Sequence, residues 1–222
     1  GGLTNAILRT LVNLEERSVP DEHTPIANVA DYLSHPEWLI SKWIKDKNFD
    51  QAKALAEWNN EYPILWFRVN RLEYTPTKFK NYLKKHDIKY KQFEHISEFF
   101  QTSKHQELLK SDIFKEGKIS VQDPSAGLVV QLLDPKKKES ITDACAAPGG
   151  KSSYISEKLN NTGSILSYDS NEERLNRLDN TLERLHINNT ESDLIDITED
   201  EVPMTDKMLL DVPCSGTGVM AK

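Results

Sequence analysis

The sequence predicts an α/β fold, and three observations carry that prediction. Ser140–Ala144 is a short apolar run, Cys145–Gly149 is rich in small and turn-forming residues, and Gly150–Leu159 has helical character. Strand, tight glycine turn and helix is the layout that brings a ligand to a helix N-terminus at the top of a parallel sheet. The alternation then repeats: a strand over Ser164–Asp169, a helix over Asn171–His186, and strands over Glu191–Ile195 and Lys207–Asp211. Finally, Asp169, Asp196 and Asp211 all fall at the ends of these expected strands. Carboxyl ends of strands are where such sheets gather their functional groups.

The elements before this region read differently. Leu3–Ser18 has apolar residues at helical spacing, and Val19–Pro25 is a linker by composition. Three short helices are expected at Ile26–Leu33, His35–Ile44 and Asp50–Asn59, with Ala52, Leu55, Ala56 and Trp58 as inward candidates in the last. The aromatic residues here are either core or stacking platforms, and core is the expectation. The period then changes. Tyr62–Asn70 is rich in β-branched and aromatic residues and reads as a strand. Thr75–His86 reads as a helix with Pro76 at its first position. Ile88–Phe93, Phe99–Gln101 and Lys118–Gln122 are further strand candidates, with a turn or short helix at Leu108–Phe114 and an apolar helix at Ser125–Leu133. A small α+β unit is implied, similar to the RNA-recognition-motif class of sheets but lacking its aromatic signature.

Composition narrows the setting. The 222 residues are 37% hydrophobic and 28% charged, ordinary for a globular chain. No apolar run approaches the ~18 residues of a membrane span, and no signal-peptide pattern opens the chain. The two cysteines, Cys145 and Cys214, sit inside Gly/Pro motifs and read as reduced thiols of a cytoplasmic protein. A monomer is expected. Net charge is −7, but unevenly spread: residues 1–140 carry 21 Lys+Arg against 20 Asp+Glu, and residues 141–222 carry 7 against 15. Arg68, Arg71, Lys78, Lys80, Lys84, Lys85, Lys89 and Lys91 stand against only Glu73 and Asp87. That excess is either a phosphate-facing patch or a solvated helix face.

The turn has neither Walker spacing nor the G-x-G-x-x-G dinucleotide pattern. Cys145, Ala146, Ala147, Pro148, Gly149, Gly150 and Lys151 offer backbone groups and a helix N-terminus suited to a carboxylate. Pro148 fixes φ, and Gly149 and Gly150 leave room for close approach. Asp169, about twenty residues on, stands where a carboxylate accepts hydrogen bonds from ribose hydroxyls. A ligand with both a ribose and a carboxylate tail is S-adenosyl-L-methionine. Asp196 or Asp193 would face an adenine amino group. Asp211 precedes Val212-Pro-Cys214, where Cys214 is either a reactive thiol or a small buried residue. A thiolate that adds to C6 of a pyrimidine makes C5 nucleophilic enough to take a methyl group.

Asp143–Lys151 together with Leu210–Gly218 resembles the Sun/Fmu-type RNA 5-methylcytosine methyltransferases, the bacterial branch that acts on 16S ribosomal RNA. Asn5–Arg9 resembles the end of the family's NusB-like domain, and His35–Leu39, Trp66–Asn70 and Val121–Ala126 match its linking region. The resemblance implies a class I, Rossmann-like methyltransferase fold. It divides the chain into the end of a NusB-like domain (1–18), a helical linker (19–60), a small α+β RNA-binding unit (61–135) and the first half of a methyltransferase domain (136–222). It implies that Cys145–Lys151, Asp169, Asp196 and Asp211 line the S-adenosylmethionine site, and that Asp211 and Cys214 lie near the target base. Cys214 would assist breakdown of a covalent adduct. The family's nucleophile belongs to a later Thr-Cys-Ser motif, and this sequence stops before it. The expectation is a fragment that binds cofactor poorly and does not turn over. Ribosomal RNA is the expected substrate; transfer RNA, or a non-catalytic RNA-binding role, are the rivals.

Overall fold

A computed structural model describes residues 4, 18–62, 64–214 and 216. Apart from Thr4 and Ser18, the helix expected over Leu3–Ser18 lies outside them, as do Ser215, Thr217 and Gly218 of the cysteine loop. The chain divides into two compact units, 1–63 with 216–222, and 64–215. No helix among the described residues is long and apolar enough to cross a membrane.

In the first unit, three helices stack on one another: α1 (Ile26–Leu33), α2 (Glu37–Asp46) and α3 (Phe49–Asn60). Prolines open α1 and α2, where a missing N–H costs nothing. Asn48 caps α3 by accepting from the Gln51 amide. Val29, Leu33, Ile40 and Ala56 form the core. Leu55 is only half-buried, and Trp58, an inward candidate, is 61% exposed. Trp58 falls outside the narrow stripe that Ala52, Ala56 and Asn59 turn inward. Trp38 is exposed as well, so the expectation of core aromatics fails at both positions.

The second unit begins with β1 (Trp66–Val69), α4 (Pro76–Lys85), β2 (Tyr90–Gln92) and β3 (Phe99–Thr102). Two short helices, α5 (His105–Lys110) and α6 (Asp112–Lys115), lead to β4 (Ile119–Val121). The strands form an antiparallel sheet in the order β2-β3-β1-β4. Phe67, Phe79, Leu83, Phe100 and Ile119 make its core, under α4. Thr75 caps α4 by accepting from Lys78 N.

Helix α7 (Pro124–Leu133) then leads to β5 (Ser140–Asp143), α8 (Gly150–Leu159), β6 (Ser164–Asp169), α9 (Glu172–Arg184), β7 (Thr190–Leu194) and β8 (Lys207–Leu209). The four strands are parallel, in the order β7-β6-β5-β8. The chain runs outward from β5 through β6 to β7, then returns to the other side of β5. That reversal is the topological switch point at which open α/β sheets bind ligands. Ile96 and Phe99 of the antiparallel part share one core with Val130, Ile141, Tyr154 and Ile165.

One expected surface residue is in the interior. Arg68 belongs by sequence to the basic patch, but it is fully buried. Its guanidinium lies 2.8 Å from the equally buried Glu157 of α8 and 4.7 Å from the Tyr154 ring centre. Burial without such a partner would be prohibitive for a guanidinium. Lys78, Lys84, Lys85, Lys89 and Lys91 remain exposed, while Lys80 is half-buried near Phe100.

Candidate functional site

The site is built where β5, β6 and β8 end together. Register sets Asp143 opposite Ser167 of β6 and Leu209 of β8. Beyond β5 the chain stays tied to both neighbours: Ala144 N donates to Leu209 O at 2.9 Å and Ala146 N to Tyr168 O at 2.8 Å. Gly149 N then donates to Ala146 O at 2.8 Å and closes the turn.

A cavity of about 200 Å³ opens at this point. Its walls are Ala144 and Cys145 from the turn, Asp169, Ser170 and Arg174 after β6, Ile195–Thr198 after β7, and Val212 and Pro213 after β8. Four strand ends thus converge on one space. It is smaller than the ~300–1,000 Å³ clefts of drug-sized ligands, so it suits one portion of such a molecule.

Asp169 is a carboxylate in the wall of this cavity. It is 3% exposed, and its Oδ1 accepts from Asn171 N at 3.1 Å. Its Oδ2 is buried and makes no hydrogen bond, although Arg174 Nη2 lies 3.3 Å away. A buried carboxylate oxygen with spare capacity at a cavity wall is suited to a ligand hydroxyl. Arg174 also donates to Ala147 O at 3.3 Å, linking the Asp169 side of the cavity to the turn. Of the two adenine-site alternatives, Asp196 lines the cavity and Asp193 does not. Asp196 accepts from Thr198 N and Oγ1, and the hydroxyl bond holds its carboxyl below the usual range.

The remaining turn residues serve packing through their side chains. Ala146 and Ala147 are buried against Leu178 and Leu182 of α9. Gly149 has φ +96°, and a Cβ there would stand 2.9 Å from Leu178 Cδ1. Its need for glycine is therefore backbone conformation and helix packing. At Gly150 a Cβ would meet Gln122 Nε2 at an ordinary 3.5 Å. Pro148 is exposed. Cys145 is half-buried, and burial, reinforced by Asp169, pushes its thiol pKa up, so it is a poor thiolate. Lys151 forms an ion pair with Asp211, joining the start of α8 to the segment after β8. Cys214 is exposed three residues further on, and neither cysteine is in a disulfide.

Two residues escaped the sequence reading. Asp143 is fully buried, accepts from Ser152 Oγ at 2.7 Å, and is pushed up to about 6 by burial. Arg174 had a signal, a cation in the first turn of the helix after Asp169. Among the described residues no group of His, Cys, Asp or Glu is placed to hold a metal.

The parallel sheet, its switch-point cavity and the strand-end carboxylate define a Rossmann-like α/β domain of the methyltransferase class. Comparison with known proteins makes this particular. Residues 130–222 match the 16S rRNA methyltransferase RsmB/F family, and residues 35–105 match the ferredoxin-like domain described for RsmF/B-like methyltransferases. Two family models thus match separate parts of the chain, and both describe RsmB/F-type methyltransferases. It is 30% identical over 227 residues to the probable ribosomal RNA small subunit methyltransferase B of Bacillus subtilis, covering 98% of this chain and 49% of that protein. It is 34% identical over 228 residues to ribosomal RNA small subunit methyltransferase B of Yersinia enterocolitica, covering 100% and 51%. The crystal structure of a methyltransferase homologue from Pyrococcus horikoshii superposes with a TM-score of 0.77 at 28% identity, covering 90% of this chain and 66% of that one. The chain thus spans about half the length of the curated relatives it matches.

Proposed function

We propose that this chain carries the S-adenosylmethionine-binding part of an enzyme that methylates C5 of a cytosine in ribosomal RNA. The observation that carries the reading is Asp169, a carboxylate at the end of β6 that lines the cavity and whose Oδ2 makes no hydrogen bond. Asp169 accepts from the ribose hydroxyls there, and Asp196 faces the adenine amino group. Ile195 and Ile197 exclude water from the base. The turn Cys145–Lys151, at the N-terminus of α8, receives the carboxylate tail through the amides left over by its own bonds, since those of Ala146 and Gly149 are engaged and Pro148 has none. When bound, S-adenosylmethionine supplies the methyl group.

The target base belongs beside Asp211 and Cys214, past the end of β8. Asp211, held by Lys151, orients the cytosine. Cys214 assists release of the methylated base from a protein nucleophile of the Thr-Cys-Ser type. The exposed lysines of α4 and of Lys89–Lys91 contact RNA phosphates, an affinity that falls with salt. The names of the curated relatives favour ribosomal over transfer RNA.

Asp169→Ala tests the reading directly. A carboxylate–hydroxyl bond is worth about 1.5–3 kcal/mol, so S-adenosylmethionine affinity should fall about ten- to a hundredfold by calorimetry. Unchanged affinity refutes the ribose role. In a protein carrying both this loop and the later nucleophile motif, Cys214→Ala should trap a covalent protein–RNA complex on a denaturing gel. Normal turnover without trapping excludes the release role.

A further inference from the structure

We propose that Arg68 is a positioning residue for the methyl-donor turn, acting from the antiparallel sheet on the first turn of α8. Arg68 Nη1 donates to the carbonyl oxygen of Gly150 at 2.9 Å and to Gln122 Oε1 at 2.5 Å. Its Nη2 donates to Ser153 Oγ at 2.9 Å and faces Glu157 Oε1 at 2.8 Å. Gly150 is the first residue of the helix that follows the turn, and Ser153 and Glu157 lie farther along that helix. One rigid guanidinium fork therefore holds the start of α8 by its backbone and its body by two side chains.

Two separate stretches of the antiparallel part meet here. Arg68 comes from β1 and Gln122 from the residue after β4, and both lie against Gly150. The neighbouring Arg71 N donates to Glu157 Oε2 at 3.1 Å, so a second bond from the same segment orients the carboxylate. A purely architectural contact between two layers would be met by apolar side chains at lower desolvation cost. The fork instead fixes the direction of the Gly150 peptide, and with it the N–H groups that open α8. This assignment rests on the turn receiving the donor's tail.

The test uses the whole chain with Arg68→Lys and, separately, Arg68→Met combined with Glu157→Gln. Lysine keeps a cation for Glu157 but lacks the fork. The double variant removes both charges and leaves an acceptor for Arg71 N. S-adenosylmethionine affinity is measured by calorimetry, and amide hydrogen exchange is followed across α8 and, as a control, β6. The expected result is at least about a tenfold loss of affinity with a near-parental melting temperature, and about tenfold faster exchange confined to the first turn of α8. Parental affinity in the folded variants overturns the proposal. Should the parent chain bind too weakly to measure, as is expected of a chain spanning about half the length of its relatives, exchange alone decides: unchanged protection of the first turn overturns the positioning role, and faster exchange there upholds it. If both variants fail to fold, Arg68 serves folding alone and the proposal is overturned.

Discussion

Asp143→Asn should change how stability depends on pH, and the size of the change follows from the burial of this carboxyl. Asp143 is inaccessible to solvent beneath the turn, and burial raises its pKa from 3.8 to about 6 against the opposing pull of Ser152 and Lys151. The folded state therefore holds a proton that the unfolded chain has already released. Between about pH 4 and pH 6 the folded protein binds more protons, so stability falls as pH rises, and the loss is complete above the folded value. At roughly 1.4 kcal/mol for each tenfold change in proton affinity, the loss approaches about 3 kcal/mol. Asparagine carries no charge and still offers Ser152 an acceptor. Other carboxyls, such as Asp134 and Glu139, are shifted down and pull the wild-type curve the other way. The informative quantity is consequently the difference between variant and parent in urea unfolding, followed by tryptophan fluorescence from about pH 4 to about pH 8. The variant should gain on the parent through the lower half of this range and hold a constant advantage above it. A difference independent of pH would refute the reasoning.

Two further substitutions probe the frame of the site. Gly149→Ala forces a side chain onto φ +96° and toward Leu178, and should cost about 1–3 kcal/mol in thermal unfolding; an unchanged melting temperature would show that the turn relaxes freely. Asn70→Ala strands the Gly117 and Leu185 carbonyls that the buried Asn70 amide serves at 2.9 Å each, for about 1–3 kcal/mol in denaturant unfolding. A loss within about 0.5 kcal/mol would mean that water replaces the amide.

Much of the architecture is legible in local sequence because periodicity and capping are local. Thr75-Pro76 announces α4 with its cap and first residue, and each has that role in the fold. The strand, turn and helix around Gly149 are readable for the same reason. Asp169 is legible too, since the strand that carries it and the helix after it leave little choice of where it stands. The α+β unit is legible as well: each of its four expected strands contains or overlaps an observed one, although these are only three or four residues long.

The placement of charge is a different matter. Arg68 looks like its lysine neighbours until it meets Ser153, 85 residues later in the chain, and Glu157 beyond it. A charge is buried or solvated according to its partner, and no window of sequence contains that partner. Arg174 is a mixed case, near Asp169 in sequence but bonded to Ala147 O 27 residues back, and the constraint on Gly149 comes from Leu178 on another helix. Sequence alone is enough to show the family likeness and to put Asp169 at the end of β6, because motif and period are carried by adjacent residues. Which of those groups face the cavity, and which are spent on holding it open, depends on contacts that exist only once β5, β6 and β8 lie side by side.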